Sequence, residues 1–420
     1  MNVYRKTPLY LLCSLIICFA SCKKGNKVTP QNPGKSLVLT SFEQQKVIAD
    51  NAFSIRLFKN LDSANSTGAN LFASPLSVSF ALGMTSNGAS GATLTAFKNT
   101  LNFAGLSQDQ VNAYYNNLIT NLPELDPNTT LNIANSIWYR QGFSVLPQFL
   151  QTDSTNFHAQ TQALDFNSPS ALSTINNWVN DKTSGKIPKI LDNIPGNAVM
   201  YLVNAMYFKS SWAEKFDPAK TKPQSFYLAD NSSVQANFMT GDIDFNYCLS
   251  DKANVYELPY SNNRYSMVII TPGLSLSGGT TLSQLAAGLD SLQWQTWMNN
   301  LKPCKGTVTM PKFSFSYGNL LNSALTDLGL GIAFSDQADF SLINPTTKLQ
   351  ISQVVHKAFV DVDESGTTAA AATSVGVIAT IAGPQYNPTF NHPFIFAIRE
   401  MNSGLILFIG TMNNPLLTGN

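Results

Sequence analysis

The sequence predicts an α+β fold, one large domain that mixes helices with more than one β-sheet. Three observations predict it. Residues 41–416 hold no internal repeat and no long Pro/Gly/Ser linker, Thr271 to Thr281 being only a short loop. A single core usually stops growing near ~250–300 residues, so the missing linker argues for one large body rather than two. Apolar residues recur at helical period in the front half, and short strand-like runs follow in the middle and at the end. Finally, Glu364–Ile381 reads ESGTTAAAATSVGVIATI, with no charge after Glu364, no proline and no aromatic ring. Taken alternately, Thr367, Ala369, Ala371, Thr373, Val375, Val377 and Ala379 share one face of a strand. All are small or β-branched, so that face can be buried without stranding a charge. Pro384 and Pro388 follow at once, as at the end of an exposed loop. The stretch is equipped to be a loop in one state and a strand in another.

The N-terminus carries Arg5 and Lys6, then an apolar run from Leu9 to Ala20. A membrane span needs roughly 20 apolar residues, so residues 1–21 are expected to be a signal peptide. The run ends Phe19-Ala-Ser-Cys22. Small residues before a cysteine resemble a bacterial lipoprotein processing site, with Cys22 as the acylated first residue. An ordinary signal cut at the same place is the other reading. Residues 22–40, polar between Lys23 and Ser36, suit a flexible tether. The expected location is the cell envelope, lipid-anchored on the periplasmic or outer surface, or secreted. Removing residues 1–21 takes Lys+Arg from 26 to 24 against 25 Asp+Glu, a net charge of −1. No basic excess is left for nucleic acid. Of the five cysteines only Cys248 and Cys304 lie in the folded part, as a pair or as two thiols.

Each element has its own signal. Phe42 to Asn60 places Val47, Ile48, Phe53, Ile55, Leu57 and Phe58 at roughly helical period. Ser74 before Pro75 reads as an N-cap with proline in the first turn, opening a helix toward Met84. Leu131–Tyr139 is strand-like, Ile175–Asn180 helical until Gly185-Lys-Ile-Pro188 breaks it, and Val199–Phe208 a strand followed by Trp212. Further strands are read at Tyr265–Ile270, Val308–Phe315, Ile351–Asp363, Phe390–Arg399 and Gly404–Met412. Chemistry for an enzyme is not evident. His158, His356 and His392 are scattered, and no Walker loop or G-x-S-x-G elbow is present. No cofactor or metal is expected.

The order of these pieces, Asn70–Met84, Asn176-Asn-Trp178 with Gly185-Lys-Ile187, Val199–Trp212, Tyr256–Tyr260, Ala338–Phe340 and the Glu364–Ile381 stretch with its flanks, resembles the serpins over roughly residues 42–415. The resemblance implies about nine helices, three β-sheets and an exposed reactive-centre loop at 364–390 within a serpin domain at 41–416. It implies a hinge at Glu364, Gly366, Thr367 and Ala369, Ala370, Ala371 and Ala372. It implies a shutter of Ser74, Ser77, Asn204 and His356, and a breach at Trp212. Ser365 and Thr368 stand where serpins often have glutamate. The implied activity is inhibition of a serine, or alternatively cysteine, endopeptidase as a suicide substrate. The alternative is a non-inhibitory serpin, a binding or surface protein merely cleaved as a substrate. The small hinge residues favour inhibition.

Counting from Gly366 by the family's loop length puts the reactive bond at Thr380–Ile381, while counting back from Asn391 gives Ala382. A residue that is neither charged nor aromatic there suits an elastase-like or subtilisin-like pocket. Partners are therefore a target protease and, through Cys22, a membrane. The protein is expected to be a monomer.

Overall fold

The computed structural model describes residue 1 and residues 34–273, 281–367 and 386–419. Cys22, Ala369 to Ala372, Thr380 and Ile381 lie outside them. Residues from Pro33 onward form one compact unit. The chain opens with α1 (Ser41–Ser63), β1 (Leu71–Ala73), α2 (Pro75–Asn87), α3 (Gly91–Thr100) and α4 (Gln108–Asn121). Then come β2 (Thr130–Arg140), α5 (Pro147–Phe157), β3 (Gln160–Leu164), α6 (Pro169–Lys182) and β4 (Met200–Ser211). The third part is strand-rich: β5 (Lys222–Tyr227), β6 (Ser233–Leu249), β7 (Ala253–Pro259) and β8 (Tyr265–Pro272). Two short helices, α7 (Leu282–Gly288) and α8 (Ser291–Asn299), precede β9 (Lys302–Pro311), β10 (Phe313–Leu320) and α9 (Asn322–Leu325). The chain closes with β11 (Val355–Asp363), β12 (Gly366–Thr367), β13 (Phe394–Glu400) and β14 (Ile406–Met412).

Local chemistry accounts for the helix starts. Thr40 caps α1 in a reciprocal box with Glu43, and Ser74 caps α2 with Pro75 just inside. α2 is buried almost all round, from Pro75 to Ser86, because it runs through the centre and packs on both β4 and β14. β13 and β14 are buried at every residue, and the Phe72 ring stacks between Phe396 at 5.5 Å and Phe408 at 5.0 Å.

A six-stranded sheet has the order β10-β11-β12-β4-β2-β3. The other strands form one eight-stranded network, β1-β14-β13-β8-β7-β6-β5, with β9 also on β6. Three sheets are implied by the family pattern, and two hydrogen-bonded networks are found among the described residues. The reason is β6, whose 17 residues pair with β5 and β9 over most of their length and with β7 at their end. α6 lies over the outer face of the six-stranded sheet, where Ile175 and Val179 join Trp138, Tyr201 and Val203 in a second, smaller core.

The body begins before residue 41. Leu37 and Leu39 pack on the core, Asn117 Nδ2 donates to the Val38 carbonyl at 3.1 Å, and Lys35 pairs with Glu124 at 3.0 Å. The tether read as 22–40 therefore ends earlier, because its last residues include apolar side chains that the body buries. Cys304 stands opposite Phe245 and Cys248 opposite Val255, three residues further along β6. That odd spacing puts the two thiols on opposite faces, and no disulfide joins them.

Candidate functional site

The site is the top of the six-stranded sheet, where β11 turns into β12. β11 alternates, with His356, Ala358, Val360 and Val362 turned inward. At Glu364–Ser365 the chain reverses. Asp363 Oδ1 accepts from the Ser365 amide at 2.8 Å and the Gly366 amide at 3.2 Å. Gly366 and Thr367 then pair on both sides, with Asp363 and Val362 of β11 and with Ser211 and Ser210 of β4. Only glycine serves at 366. Its φ is +150°, and a Cβ there would sit 2.1 Å from the Ser210 carbonyl oxygen. Thr367 is 2% exposed, and its hydroxyl lies 2.5 Å from the Tyr260 hydroxyl.

The turn is fastened from outside. Glu364 accepts from Lys312 Nζ and from Thr221 Oγ1, both at 2.7 Å. Burial pushes the Glu364 carboxyl up, but those two hydrogen bonds, a backbone hydrogen bond and the Lys312 charge together outweigh it and hold the group below the usual carboxylate range. Trp212 donates its amide to the Ser365 carbonyl and its indole N–H to the Asp363 carbonyl, each at 2.9 Å. Its ring stacks on Tyr260 at 4.6 Å.

Below the hinge the sheet is open. Among the described residues β4 and β11 share no ladder of their own, only the two rungs through β12. A cleft of about 620 Å³ lies further down, lined by Ser77, Leu202, Asn204, Val354 and His356 among others, its upper end six positions along β4 from Ser210 (210 − 204). Of the four residues expected in the shutter, Ser77, Asn204 and His356 line it, and Ser74 joins them by hydrogen bonds. The Ser74 amide donates to His356 Nε2 at 3.0 Å, and Ser74 Oγ donates to the Leu407 carbonyl at 2.8 Å and caps the Ser77 amide. Ser77 Oγ donates to Asn204 Oδ1, and Asn204 Nδ2 donates to Asn135 Oδ1 at 2.7 Å. Burial lowers the His356 pKa to about 4, so at neutral pH the ring is uncharged and Nε2 is free to accept.

Residues 48–415 match the model of the family described as serpin (serine protease inhibitor). The chain belongs to the serpins. It is 34% identical over 375 residues to a leukocyte elastase inhibitor of Xenopus tropicalis, a match covering 86% of this chain and 97% of that protein. The native-state crystal structure of tengpin, a thermophilic serpin, fits with a TM-score of 0.79 at 33% identity, over 90% of this chain and 96% of that one. Human thyroxine-binding globulin fits with a TM-score of 0.78 at 27% identity, over 89% and 99% of the two chains.

Within this serpin, sequence reasoning missed three members of the site. Tyr260 was visible only as the end of a strand-like run, with nothing to show where its hydroxyl goes. Lys312 follows Pro311 between two strands, and its partner Glu364 is 52 positions away (364 − 312). Asn135 sits inside β2 directly opposite Asn204 of β4, and its Oδ1 accepts from Asn204 Nδ2 at 2.7 Å. The other two histidines serve elsewhere. His158 ends α5 in the left-handed conformation, and His392 stacks on Tyr227 at 5.1 Å.

Proposed function

We propose that this serpin inhibits an elastase-like serine endopeptidase as a suicide substrate. The observation that carries the reading is the hinge. Gly366–Thr367 already occupies the first two rungs between β4 and β11, and a cleft lies further down the same two strands, at Asn204 and His356. Continuing both registers one residue at a time brings Thr373 opposite Asn204 on one side (211 − 7) and His356 on the other (363 − 7). The small face of the loop thus descends onto the shutter cluster, and each added residue gains ladder hydrogen bonds.

The covalent step is acyl transfer. The protease serine oxygen attacks the Thr380 carbonyl carbon and the peptide bond to Ile381 breaks. The amine of Ile381 leaves with a proton, and Thr380 remains as an ester on the enzyme. The segment Gly366 to Thr380 then enters the sheet. At ~3.3 Å per residue its fifteen residues span about 50 Å, which carries the bound protease to the far end of the body before water can reach the ester. The small, uncharged residues around 380 suit a shallow apolar pocket, and a relative in this family is named an elastase inhibitor.

Incubation with a protease panel tests this. Elastase should give a complex that survives boiling detergent, and mass spectrometry of the released fragment should find it starting at Ile381. Thr380→Arg should redirect the complex to trypsin-like enzymes. Cleavage without any complex would instead make the protein a non-inhibitory serpin.

We further propose that Cys22 is acylated and anchors the mature protein in the cell envelope, with residues 1–21 removed. The support is the short apolar run ending at Ala-Ser-Cys. Cys22→Ser should move the protein from the detergent-dependent to the soluble fraction or block its processing. Unchanged fractionation would refute the anchor.

A further inference from the structure

We propose that the Tyr260 hydroxyl is a positioning residue that keeps Thr367 seated between β4 and β11, so that the first rung of strand addition is made before any protease arrives. The inference deepens the inhibitory reading and rests on it. Tyr260 is fully buried, and its ring is fixed face to face on Trp212 at 4.6 Å and edge-on to Phe208 at 5.3 Å. Trp212 is itself tied to the turn through Ser365 and Asp363. The phenol is thus held rigidly with its oxygen 2.5 Å from Thr367 Oγ1. That contact is the one side-chain hydrogen bond of Thr367 among the described residues, and besides its rungs the backbone of the two-residue strand has only the Gly366 amide on Asp363 Oδ1 at 3.2 Å. Freeing the hinge would leave a buried hydroxyl without a partner, so the bond opposes withdrawal in a way that packing alone does not.

The test uses the full-length protein and three variants: Tyr260→Phe, Thr367→Val and the double variant. Tyr260→Phe keeps the ring on Trp212, and Thr367→Val keeps the β-branch, so each removes only one hydroxyl. Hydrogen exchange of the peptide spanning Val362–Thr367 is read first. Either single variant should exchange about tenfold faster there, the loss of one buried hydrogen bond. The double variant should be no faster than the faster single, because one interaction has been removed twice. Against elastase, the singles should yield several-fold less covalent complex while the loop is cleaved at an unchanged rate.

Unchanged exchange in Tyr260→Phe, or additive effects in the double variant, would overturn the proposal. A lowered melting temperature with unchanged exchange would make Tyr260 merely structural, which also overturns it. If the wild type forms no complex with any protease, the inhibitory reading fails, and the exchange data still decide whether Tyr260 holds the hinge.

Discussion

His356 shows how one side chain can report on the state of the sheet. Its Nε2 accepts the Ser74 amide, and protonation would remove that acceptor. Its folded pKa of about 4 lies below the ordinary 6.5, so folding favours the neutral ring. The stability this contributes is complete above pH 6.5 and is lost as pH falls toward 4, a difference of roughly 3 kcal/mol for a fully buried group. His356→Gln, which can still accept a hydrogen bond but does not titrate, should flatten the melting temperature between pH 7 and 4.5 relative to wild type. Parallel profiles for the two proteins would show that His356 is not the titrating group.

Lys46 makes a second residue-scale case. It is buried with Asp50, beside the rings of Phe103, Tyr114 and Tyr115, and burial lowers its pKa. Lys46→Met should cost about 3–5 kcal/mol by denaturant titration, since Asp50 would keep a buried charge with no counterion. A loss under about 1 kcal/mol would contradict that. The two residues differed in legibility. His356 is one of the chain's three histidines and falls in an apolar strand-like run, whereas nothing in the residues around Lys46 marks it as buried.

Among the elements, legibility followed local pattern. The periodicity behind α1 and the Ser74–Pro75 start of α2 are sequence-local signals, and both helices form there, whereas β11 begins only at Val355, four residues after the strand read from Ile351. β12 is different. Its two residues are a strand only because Val362 and Ser210 flank Thr367 and because Gly366 admits the Ser210 carbonyl. No window of sequence contains both partners. Ser365, where the family often has glutamate, lies in the turn, with its amide on Asp363 and its carbonyl on Trp212. Neither contact needs a charged side chain.

The sequence treats Thr367 as the first residue to enter the sheet, and the structure has it already inside, at 2% exposure. Thr367→Arg therefore acts on the resting protein as well as on insertion. Burying an unpaired guanidinium costs several kcal/mol, so the hinge should leave the sheet and re-enter too slowly to beat deacylation. The variant should be cleaved by the same protease at the same bond and release active enzyme, which a gel for complex and an assay for recovered activity would show. Full covalent inhibition by this variant would mean that Thr367 need not enter the sheet.

At the scale of the whole molecule, the loop connects two sheets and is fastened at both ends. Its near end is in the six-stranded sheet at Thr367. Its far end is held along β9: the Thr309 amide donates to the Pro388 carbonyl at 2.9 Å, the Phe390 amide to the Thr309 carbonyl at 2.9 Å, and the Thr307 amide to Asn387 Oδ1 at 2.9 Å. While the chain between them is unbroken, the whole stretch 366–380 cannot enter the sheet without pulling the 386–390 segment from β9, since Thr380 would lie fourteen rungs (380 − 366), about 46 Å, below Gly366 with only six residues (386 − 380) to reach back. On the proposed mechanism the open sheet is a kinetic trap held by covalent continuity, not the most stable arrangement of these strands. Cutting the loop removes the constraint at once. A non-target protease that nicks it should leave both fragments associated and the sheet completed by the former loop. Each ~1 kcal/mol of added stability is worth roughly 2–4 °C for a large domain, so even a few kcal/mol from the new rungs should raise the melting temperature by about 10 °C. Scanning calorimetry of intact and nicked protein measures this, with nicked Thr367→Arg as the control that should gain little. A nicked wild type that melts with the intact protein would mean the strand does not go in, and the trapping mechanism would fall with it.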